Sequence, residues 1–166
     1  MTRAVLAVGS NLGDRKAHLQ GAIDALGDVV DVIAVSGVYE TAPVGGPDQD
    51  DFLNAVVIVE TSLAPHGLLA LCQRVEADHD RVREVRWGPR TLDVDVIAIE
   101  GEVLDDPALT LPHPRAHERA FVCVPWLDAD PGAVLPQGPI ASLSLDQSGI
   151  VRRSDLALAL PGDATR

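Results

Sequence analysis

The sequence predicts an α+β protein with a ferredoxin-like core, an antiparallel sheet that carries two helices on one face. The chain has 166 residues, of which 46% are hydrophobic, so it is long enough for one domain with a sizeable core. Its strand and helix segments follow the order β-α-β-β-α-β, which is the split βαβ pattern. We therefore expect a single domain over residues 1–166, in which residues 137–166 form a peripheral tail after the core.

The first half of the chain contains three predicted strands and one helix. Residues 3–9 are an apolar run that ends in glycine, which is typical of a buried strand. Residues 14–26 carry leucine and isoleucine at helical spacing and precede a glycine, so they form the first helix. Residues 29–39 are rich in β-branched residues and predict a second strand. A glycine- and proline-containing loop over residues 41–51 then leads to a third strand over residues 52–61.

The second half begins with a helix and ends in short elements. We expect Ser62 to cap a helix that continues to about residue 81, with Pro65 in its first turn. Residues 82–90 form an arginine-rich loop, and residues 91–99 form the fourth strand. The predicted additions are a loop over residues 107–114, a short helix over residues 117–127, a helix over residues 140–145, a strand over residues 150–153 and a frayed end from residue 161.

Charge and cysteine content exclude several classes of protein. The formal net charge is −12, which disfavours binding to nucleic acid or to an anionic membrane unless the cations are clustered. Cys72 and Cys123 form neither a disulfide framework nor a zinc spacing, and their apolar surroundings predict reduced thiols in the core. The chain has no run of 18 apolar residues and no signal-peptide pattern, so we expect a cytoplasmic protein.

Two aspartates inside an apolar strand are the strongest chemical signal. Asp93 and Asp95 are two residues apart, which places both side chains on one face of a strand with Cα atoms about 6–7 Å apart. Two such carboxylates can share Mg²⁺ ions that hold a phosphate chain. The alternative is an edge strand with solvated acids, but the apolar flanks argue against it. We expect a metal site here.

Arginines are concentrated around these aspartates. Seven of the 13 cations lie between residues 74 and 119, and all seven are arginine, which suits bidentate contacts to phosphate. They are Arg74, Arg81, Arg83, Arg86, Arg90, Arg115 and Arg119. Ordinary ion pairs with nearby acids are the alternative, above all for Arg74 and Arg81. The chain has no P-loop, kinase glycine loop or dinucleotide fingerprint, so any ATP must be held in another way.

A histidine and three aromatic residues complete the candidate site. His113 lies between two prolines that fix its loop, and the nearby arginines make it a candidate phosphate donor. Trp87 lies in the polar loop and favours contact with a flat heterocycle, as does Phe121. Asn54 shares a strand face with Phe52, and its amide can both donate to and accept from a ring edge. Trp126, in an apolar helix, is expected in the core.

Four blocks of sequence resemble the 6-hydroxymethyl-7,8-dihydropterin pyrophosphokinase family, in family order and at family spacing over about residues 1–136. The blocks are Val8-Gly9-Ser10-Asn11-Leu12-Gly13, Phe52-Leu53-Asn54-Ala55, Arg86-Trp87-Gly88-Pro89-Arg90-Thr91-Leu92-Asp93-Val94-Asp95 and Leu111-Pro112-His113-Pro114-Arg115. The resemblance implies a single catalytic domain that transfers pyrophosphate from ATP to the pterin in folate biosynthesis and releases AMP. It also implies two Mg²⁺ ions on Asp93 and Asp95. The acidic charge, rather than the resemblance, is the reason that we expect no nucleic-acid or membrane partner.

The resemblance also assigns site residues. The implied catalytic residues are Arg83, Arg90, Asp93, Asp95 and His113. The implied ATP-binding residues are Gln73, Arg83, Arg90, Ile97 (through its backbone), His113 and Arg119. The implied pterin-binding residues are Thr41, Val44, Phe52, Asn54, Trp87 and Phe121, with the pterin stacked between the rings of Trp87 and Phe121. Glu76 matches an active-site acid to which we assign no role.

This chain departs from some relatives at two site positions. Pro114 and Phe52 stand where those relatives carry tyrosine, and Arg115 could replace the phosphate donor lost at Pro114. Two other classes of function fit the residues alone: another Mg²⁺-dependent transferase with an Asp-x-Asp pair, or a non-catalytic nucleotide-binding module. The aromatic residues together with Asn54 favour the pyrophosphokinase. Protein partners are not indicated.

Overall fold

A computed structural model describes residues 1–42, 50–79 and 91–161 of the chain. Strands and helices within these ranges are β1 (Thr2–Ser10), α1 (Arg15–Gly27), β2 (Asp31–Val35), β3 (Tyr39–Thr41), β4 (Phe52–Thr61), α2 (Pro65–His79), β5 (Asp93–Ile99), β6 (Leu104–Asp105), β7 (Thr110–Leu111), α3 (Ala120–Ala129), β8 (Val134–Leu135), β9 (Gly138–Pro139) and β10 (Ile150–Arg152). Two 3₁₀ turns cover Ala116–Glu118 and Ile140–Ser142.

The main sheet is antiparallel and has the predicted ferredoxin-like order. Within the described residues its strands run β10-β3-β4-β1-β5, and β2 pairs with the remaining length of β4. Strand β4 is therefore central, whereas β5 lies at an edge. The α+β fold class and the β-α-β-β-α-β core predicted from the sequence are confirmed.

The sheet is covered on both faces. Alternate residues of the central strands pack against α1 and α2, as Leu53, Ala55 and Val57 do in β4. The intervening residues of the same strand, Val56 and Ile58, pack against α3 and the segment that follows it. The two helices of the core share one face, as predicted, and the third helix occupies the opposite face. When both faces of a strand are buried, its sequence is a continuous apolar run without alternation. The sequence therefore did not indicate that a third helix packs on the second face of the sheet.

The predicted second strand is wrong in its continuity. Of the predicted residues 29–39, β2 covers only Asp31–Val35, and the separate strand β3 begins at Tyr39 and extends to Thr41. The two strands pair with successive parts of β4. Between them, the hydroxyl of Ser36 accepts the N–H of Val56 at 2.8 Å, and the N–H of Gly37 donates to the Asp128 carboxylate at 2.7 Å. The regular ladder is interrupted here, because the Val56 N–H bonds to the Ser36 hydroxyl rather than to a carbonyl and the Gly37 N–H bonds to a side chain of α3.

Three predicted helices have different bounds. Helix α2 begins at Pro65 rather than at Ser62, and the hydroxyl of Thr61 accepts the N–H of Leu63 in the intervening turn. Its predicted end near residue 81 lies outside the described residues. The helix predicted over residues 117–127 is a 3₁₀ turn followed by α3, because Arg119 has extended backbone angles. The helix predicted over residues 140–145 is only the 3₁₀ turn Ile140–Ser142.

The C-terminal segment adds a strand and part of the core. The predicted strand near residue 150 is confirmed as β10, which pairs with β3. Leu156 and Leu158 pack against the core beneath α1, and Gln20 of α1 exchanges two hydrogen bonds with the backbone of Ala159, each 2.9 Å long. No helix in the described part of the chain is long and apolar enough to cross a membrane.

Candidate active site

Predicted site residues lie on the face of the sheet that α3 covers. Because side chains alternate along a strand, Phe52 and Asn54 lie on the same face as Val56 and Ile58. In β5, Val94 and Val96 pack toward α1 and α2, so Asp93 and Asp95 lie on the α3 side. The two groups that the sequence assigns to different substrates are therefore on one face of one sheet.

Gly9 separates these two groups. It pairs with Asn54 on one side and with Asp93 on the other, which places the two residues about 10 Å apart, two strand spacings. A Cβ atom on Gly9 would lie 2.8 Å from the amide oxygen of Asn54 and 3.7 Å from the Phe52 ring. Because Gly9 has no side chain, the Asn54 amide and the Phe52 ring can lie directly against the sheet beside Asp93.

A buried polar pair lies on one side of Gly9. The Asn54 side-chain amide donates to the hydroxyl of Thr41 at 2.7 Å, and both residues are less than a tenth exposed. Their strands pair so that Thr41 lies opposite Phe52 and Tyr39 lies opposite Asn54. This hydrogen bond fixes the orientation of the amide, which leaves its oxygen directed toward Gly9.

The carboxylate pair lies on the other side of Gly9, at the sheet edge. Asp93 is half-buried and Asp95 is exposed. The N–H of Val94, between them, donates to the Glu76 carboxylate of α2 at 3.0 Å. This bond ties the edge strand to α2 and thereby gives Glu76 a structural contact that the sequence could not assign. No cluster of three His, Cys, Asp or Glu side chains suited to a metal occurs in the three described ranges.

His113 is held beside β5 by two backbone contacts. Its N–H donates to the carbonyl of Ile97 at 2.7 Å, and its ring Nδ1 accepts the N–H of Arg115 at 3.2 Å. Burial, followed by the nearby charge of Arg119, lowers the pKa of His113 from its ordinary value, although Asp95 acts in the opposite direction. Because Nδ1 accepts the Arg115 N–H, the proton of the neutral ring is on Nε2, which can donate to a phosphate oxygen.

Among the other described residues of the predicted site, Arg119 and Phe121 are adjacent, whereas Gln73 lies on the helix of the opposite face. The guanidinium of Arg119 lies over the Phe121 ring, 5.6 Å from its centroid, so the expected phosphate and ring contacts are adjacent. Phe121 packs against the α3-side core. Gln73 is exposed on α2, which covers the opposite face, and would reach the site only around the edge strand β5.

Comparison with known proteins decides between the possible functions. The family model of 7,8-dihydro-6-hydroxymethylpterin-pyrophosphokinase (HPPK) matches residues 5–131. The chain belongs to the HPPK family. The 2-amino-4-hydroxy-6-hydroxymethyldihydropteridine pyrophosphokinase of Methylorubrum extorquens is 49% identical over 156 residues, which cover 92% of this chain and 99% of that protein. The protein of the same name from Bacillus subtilis is 48% identical over 124 residues, 74% of each chain.

Solved structures support the fold of the HPPK family. The crystal structure of wild-type Plasmodium falciparum HPPK-DHPS with pteroate matches with a TM-score of 0.69 at 13% identity. The match covers 86% of this chain and 43% of the Plasmodium chain, so this chain spans less than half of that protein. At such low identity the likeness concerns the fold alone.

Four of the residues that the family resemblance assigns to the active site lie outside the described residues. They are Val44, Arg83, Trp87 and Arg90. The core residues are described: Cys72, Cys123 and Trp126 are buried, as predicted. Burial raises the pKa of Cys72 to about 12 and that of Cys123 to about 11, so both thiols stay protonated at neutral pH.

Sequence reasoning missed a polar cluster next to the Thr41–Asn54 pair. An open cavity of about 610 Å³ is lined by Asn11, Gly13, Arg15, Glu40, Asp50 and Asp51. One signal was present: Arg15 begins α1, where a cation opposes the helix dipole and therefore needs another reason to be there. The partners of Arg15 are distant in sequence, so the spacing of residues alone does not reveal the cluster.

Proposed function

We propose that this chain transfers the pyrophosphoryl group of ATP to the hydroxymethyl oxygen of 6-hydroxymethyl-7,8-dihydropterin and releases AMP. The observation that carries the proposal is the shared face of the sheet, on which Asn54 and Asp93 lie on either side of Gly9. A pterin edge on one side and a phosphate chain on the other would bring the hydroxymethyl group between them. Membership of the HPPK family supports the same reaction.

The pterin is expected on the side of Thr41 and Asn54. A buried amide whose orientation is fixed by a 2.7 Å hydrogen bond can discriminate the edge of a heterocycle, because a mismatched ligand would leave buried polar atoms unpaired. Phe52 and Phe121 supply apolar surface on the same face, and stacking of the pterin by Phe121 and Trp87 is part of the proposal.

ATP is expected on the side of Asp93 and Asp95. Mg²⁺ takes one or two carboxylates together with substrate phosphates, and this pair of oxygen donors at an accessible sheet edge fits that requirement. Two bound Mg²⁺ ions would neutralise charge on the phosphate chain. His113 donates from Nε2 to a phosphate oxygen, and Arg119 adds a positive charge next to Phe121.

The chemistry that remains is displacement at phosphorus. The hydroxymethyl oxygen forms a bond to the β-phosphorus of ATP, the bond from that phosphorus to the α–β bridging oxygen breaks, and AMP departs. The hydroxyl proton passes to a phosphate oxygen. Positioning and charge stabilisation account for most of the acceleration in such transfers. The protein therefore depends more on residues that hold the two substrates in position on this face of the sheet than on a nucleophilic side chain. A cytoplasmic location completes the proposal.

The test is to mix the protein with ATP, Mg²⁺ and 6-hydroxymethyl-7,8-dihydropterin and to separate the nucleotides by chromatography. We expect AMP and pterin diphosphate in equal amounts. Asp93→Ala and Asp95→Ala should each lower turnover by about 100-fold or more, since each removes a ligand of a charge-neutralising metal. Asp105→Ala, in β6, is the matched control and should retain activity. Stoichiometric ADP would contradict the proposed reaction.

A further inference from the structure

Two arginines converge on the carboxylate of Glu40 in β3. Arg15 of α1 donates to this carboxylate at 2.7 Å, and Arg153, just after β10, donates at 3.4 Å. All three side chains are about one quarter exposed, so the cluster is shielded from water on most of its surface. Partly buried charges with short contacts are screened less by salt than ordinary surface pairs.

The same arginine also holds the start of β4. The Nη1 atom of Arg15 that contacts Glu40 lies 2.9 Å from the carbonyl oxygen of Asp51, to which it also donates. The Asn11 amide donates to the neighbouring carbonyl of Asp50 at 3.0 Å. Arg15 therefore links the middle residue of β3 to the residue that precedes β4.

Glu40 lies between two residues that face the candidate site. In β3, Tyr39 and Thr41 lie on the α3 side, whereas Glu40 extends to the opposite side and meets α1. Strand β3 has only three residues, so the contacts of its middle residue have a large share in setting its rotation. The rotation of β3 in turn sets the position of the Thr41 hydroxyl relative to Asn54.

Arg153 is itself fixed by the C-terminal segment. Its backbone N–H donates to the carbonyl of Val38 at 2.8 Å, and its guanidinium forms two hydrogen bonds, of 2.9 and 2.8 Å, with Asp155. Arg153 lies beyond residue 131, where the match to the HPPK family model ends. A residue outside that match is thus connected to the strand that carries Thr41.

We infer that Arg15 and Arg153, acting through Glu40, are positioning residues that hold Thr41 and Asn54 in the geometry that recognises the pterin. The inference rests on the proposed function, because it assumes that the pterin binds at Thr41 and Asn54. It deepens that proposal by assigning a specificity role to a cluster that contacts neither substrate.

The test measures KM for the pterin, KM for ATP and kcat in Glu40→Gln and Arg153→Met. Each variant removes charge from the cluster and leaves the site residues in place. We expect KM for the pterin to rise about fivefold or more, which corresponds to the loss of one charged hydrogen bond, while KM for ATP and kcat change less than about twofold. Asp155→Asn is the matched control, because it weakens the other Arg153 contact and leaves Glu40 with both arginines.

A purely structural role would lower the melting temperature without separating the two KM values, and that result would overturn the inference. Arg153→Met keeps the test decisive if Glu40→Gln fails to fold. Asn54→Ala separates the two levels of the argument. If Asn54→Ala raises KM for the pterin and the cluster variants do not, the inference alone is wrong. If Asn54→Ala has no effect, or the parent protein forms no AMP, the proposed pocket or reaction fails and the inference fails with it.

Discussion

Gly9 determines how closely the Asn54 side chain can approach the sheet between the two groups of site residues. The close approach of its missing Cβ to the Asn54 oxygen, 2.8 Å, is shorter than side-chain carbons tolerate. Asn54 cannot move freely, because its amide is bonded to Thr41. Any side chain at this position therefore displaces the residue that we expect to recognise the pterin.

Gly9→Ala should raise KM for the pterin by about tenfold and lower the free energy of unfolding by about 1–3 kcal/mol, the usual cost of overpacking. Steady-state kinetics and urea unfolding measure the two effects. Gly67→Ala is the matched control: it lies in α2, a Cβ there would meet only Leu63 at 3.7 Å, and alanine favours the helix by about 1 kcal/mol. Unchanged pterin kinetics in Gly9→Ala would show that the close approach of Asn54 to this residue does not matter for pterin binding.

Single residues also show where sequence reasoning succeeded. Asp93, Asp95 and Asn54 stood out because polar side chains are unusual in apolar strands, and the period of two placed each on a definite face. Arg15 and Glu40 did not stand out, because charged residues are common at the surface and their contacts join positions 25 and 113 residues apart. Composition and spacing carry no information on such pairings.

At the level of elements, the contact between α2 and β5 determines how the two aspartates are held. An edge strand leaves alternate N–H groups without a neighbouring strand. Glu76 accepts one of them, that of Val94, and so fixes the backbone between the two aspartates. The orientation of both carboxylates depends on this backbone segment.

Glu76→Ala should lower kcat by about tenfold and weaken the dependence of the rate on Mg²⁺, with a loss of about 1 kcal/mol in the free energy of unfolding. Glu76→Gln retains an oxygen acceptor and should recover much of the rate. Asp78→Ala, an exposed acid on the same helix, is the control for a general change in charge. Equal activity in Glu76→Ala and the parent would remove Glu76 from any positioning role.

Elements were predicted well where their own residues determine them. Asp14 precedes α1 and its side chain accepts the N–H of Ala17, so local sequence sets the start of this helix. The break between β2 and β3 could not be predicted, because it depends on a hydrogen bond that Ser36 accepts from β4 and one that Gly37 donates to α3. Only the tertiary fold brings those partners together.

For the whole molecule, the pattern of apolar segments was sufficient to predict the fold class and the antiparallel order of the core. The position of α3 was not predictable in the same way, because a sheet that is buried on both faces shows no alternation in sequence. The contribution of the C-terminal segment was predicted only in part. The strand near residue 150 was expected, but its pairing with β3 and the packing of Leu156 and Leu158 against the core were not.

A chain that ends at residue 148 should be less stable than the full chain by several kcal/mol, because it loses β10, the Arg153 contacts and the burial of Leu156 and Leu158. Urea unfolding followed by circular dichroism measures the difference. A chain that ends at residue 161 keeps every described contact and is the control. Equal stability of the two shortened chains would mean that the segment adds nothing to the fold.

Because the two faces of the sheet serve different purposes, neighbouring residues of β5 are exposed to different kinds of selection. Val94 and Val96 are constrained by the packing beneath α1 and α2, whereas Asp93 and Asp95 lie on the α3 side. Substitutions scanned along this strand would therefore alternate in phenotype, from loss of protein abundance to loss of growth without folate at normal abundance. The period of two that builds the sheet would reappear as a period of two in the genetics.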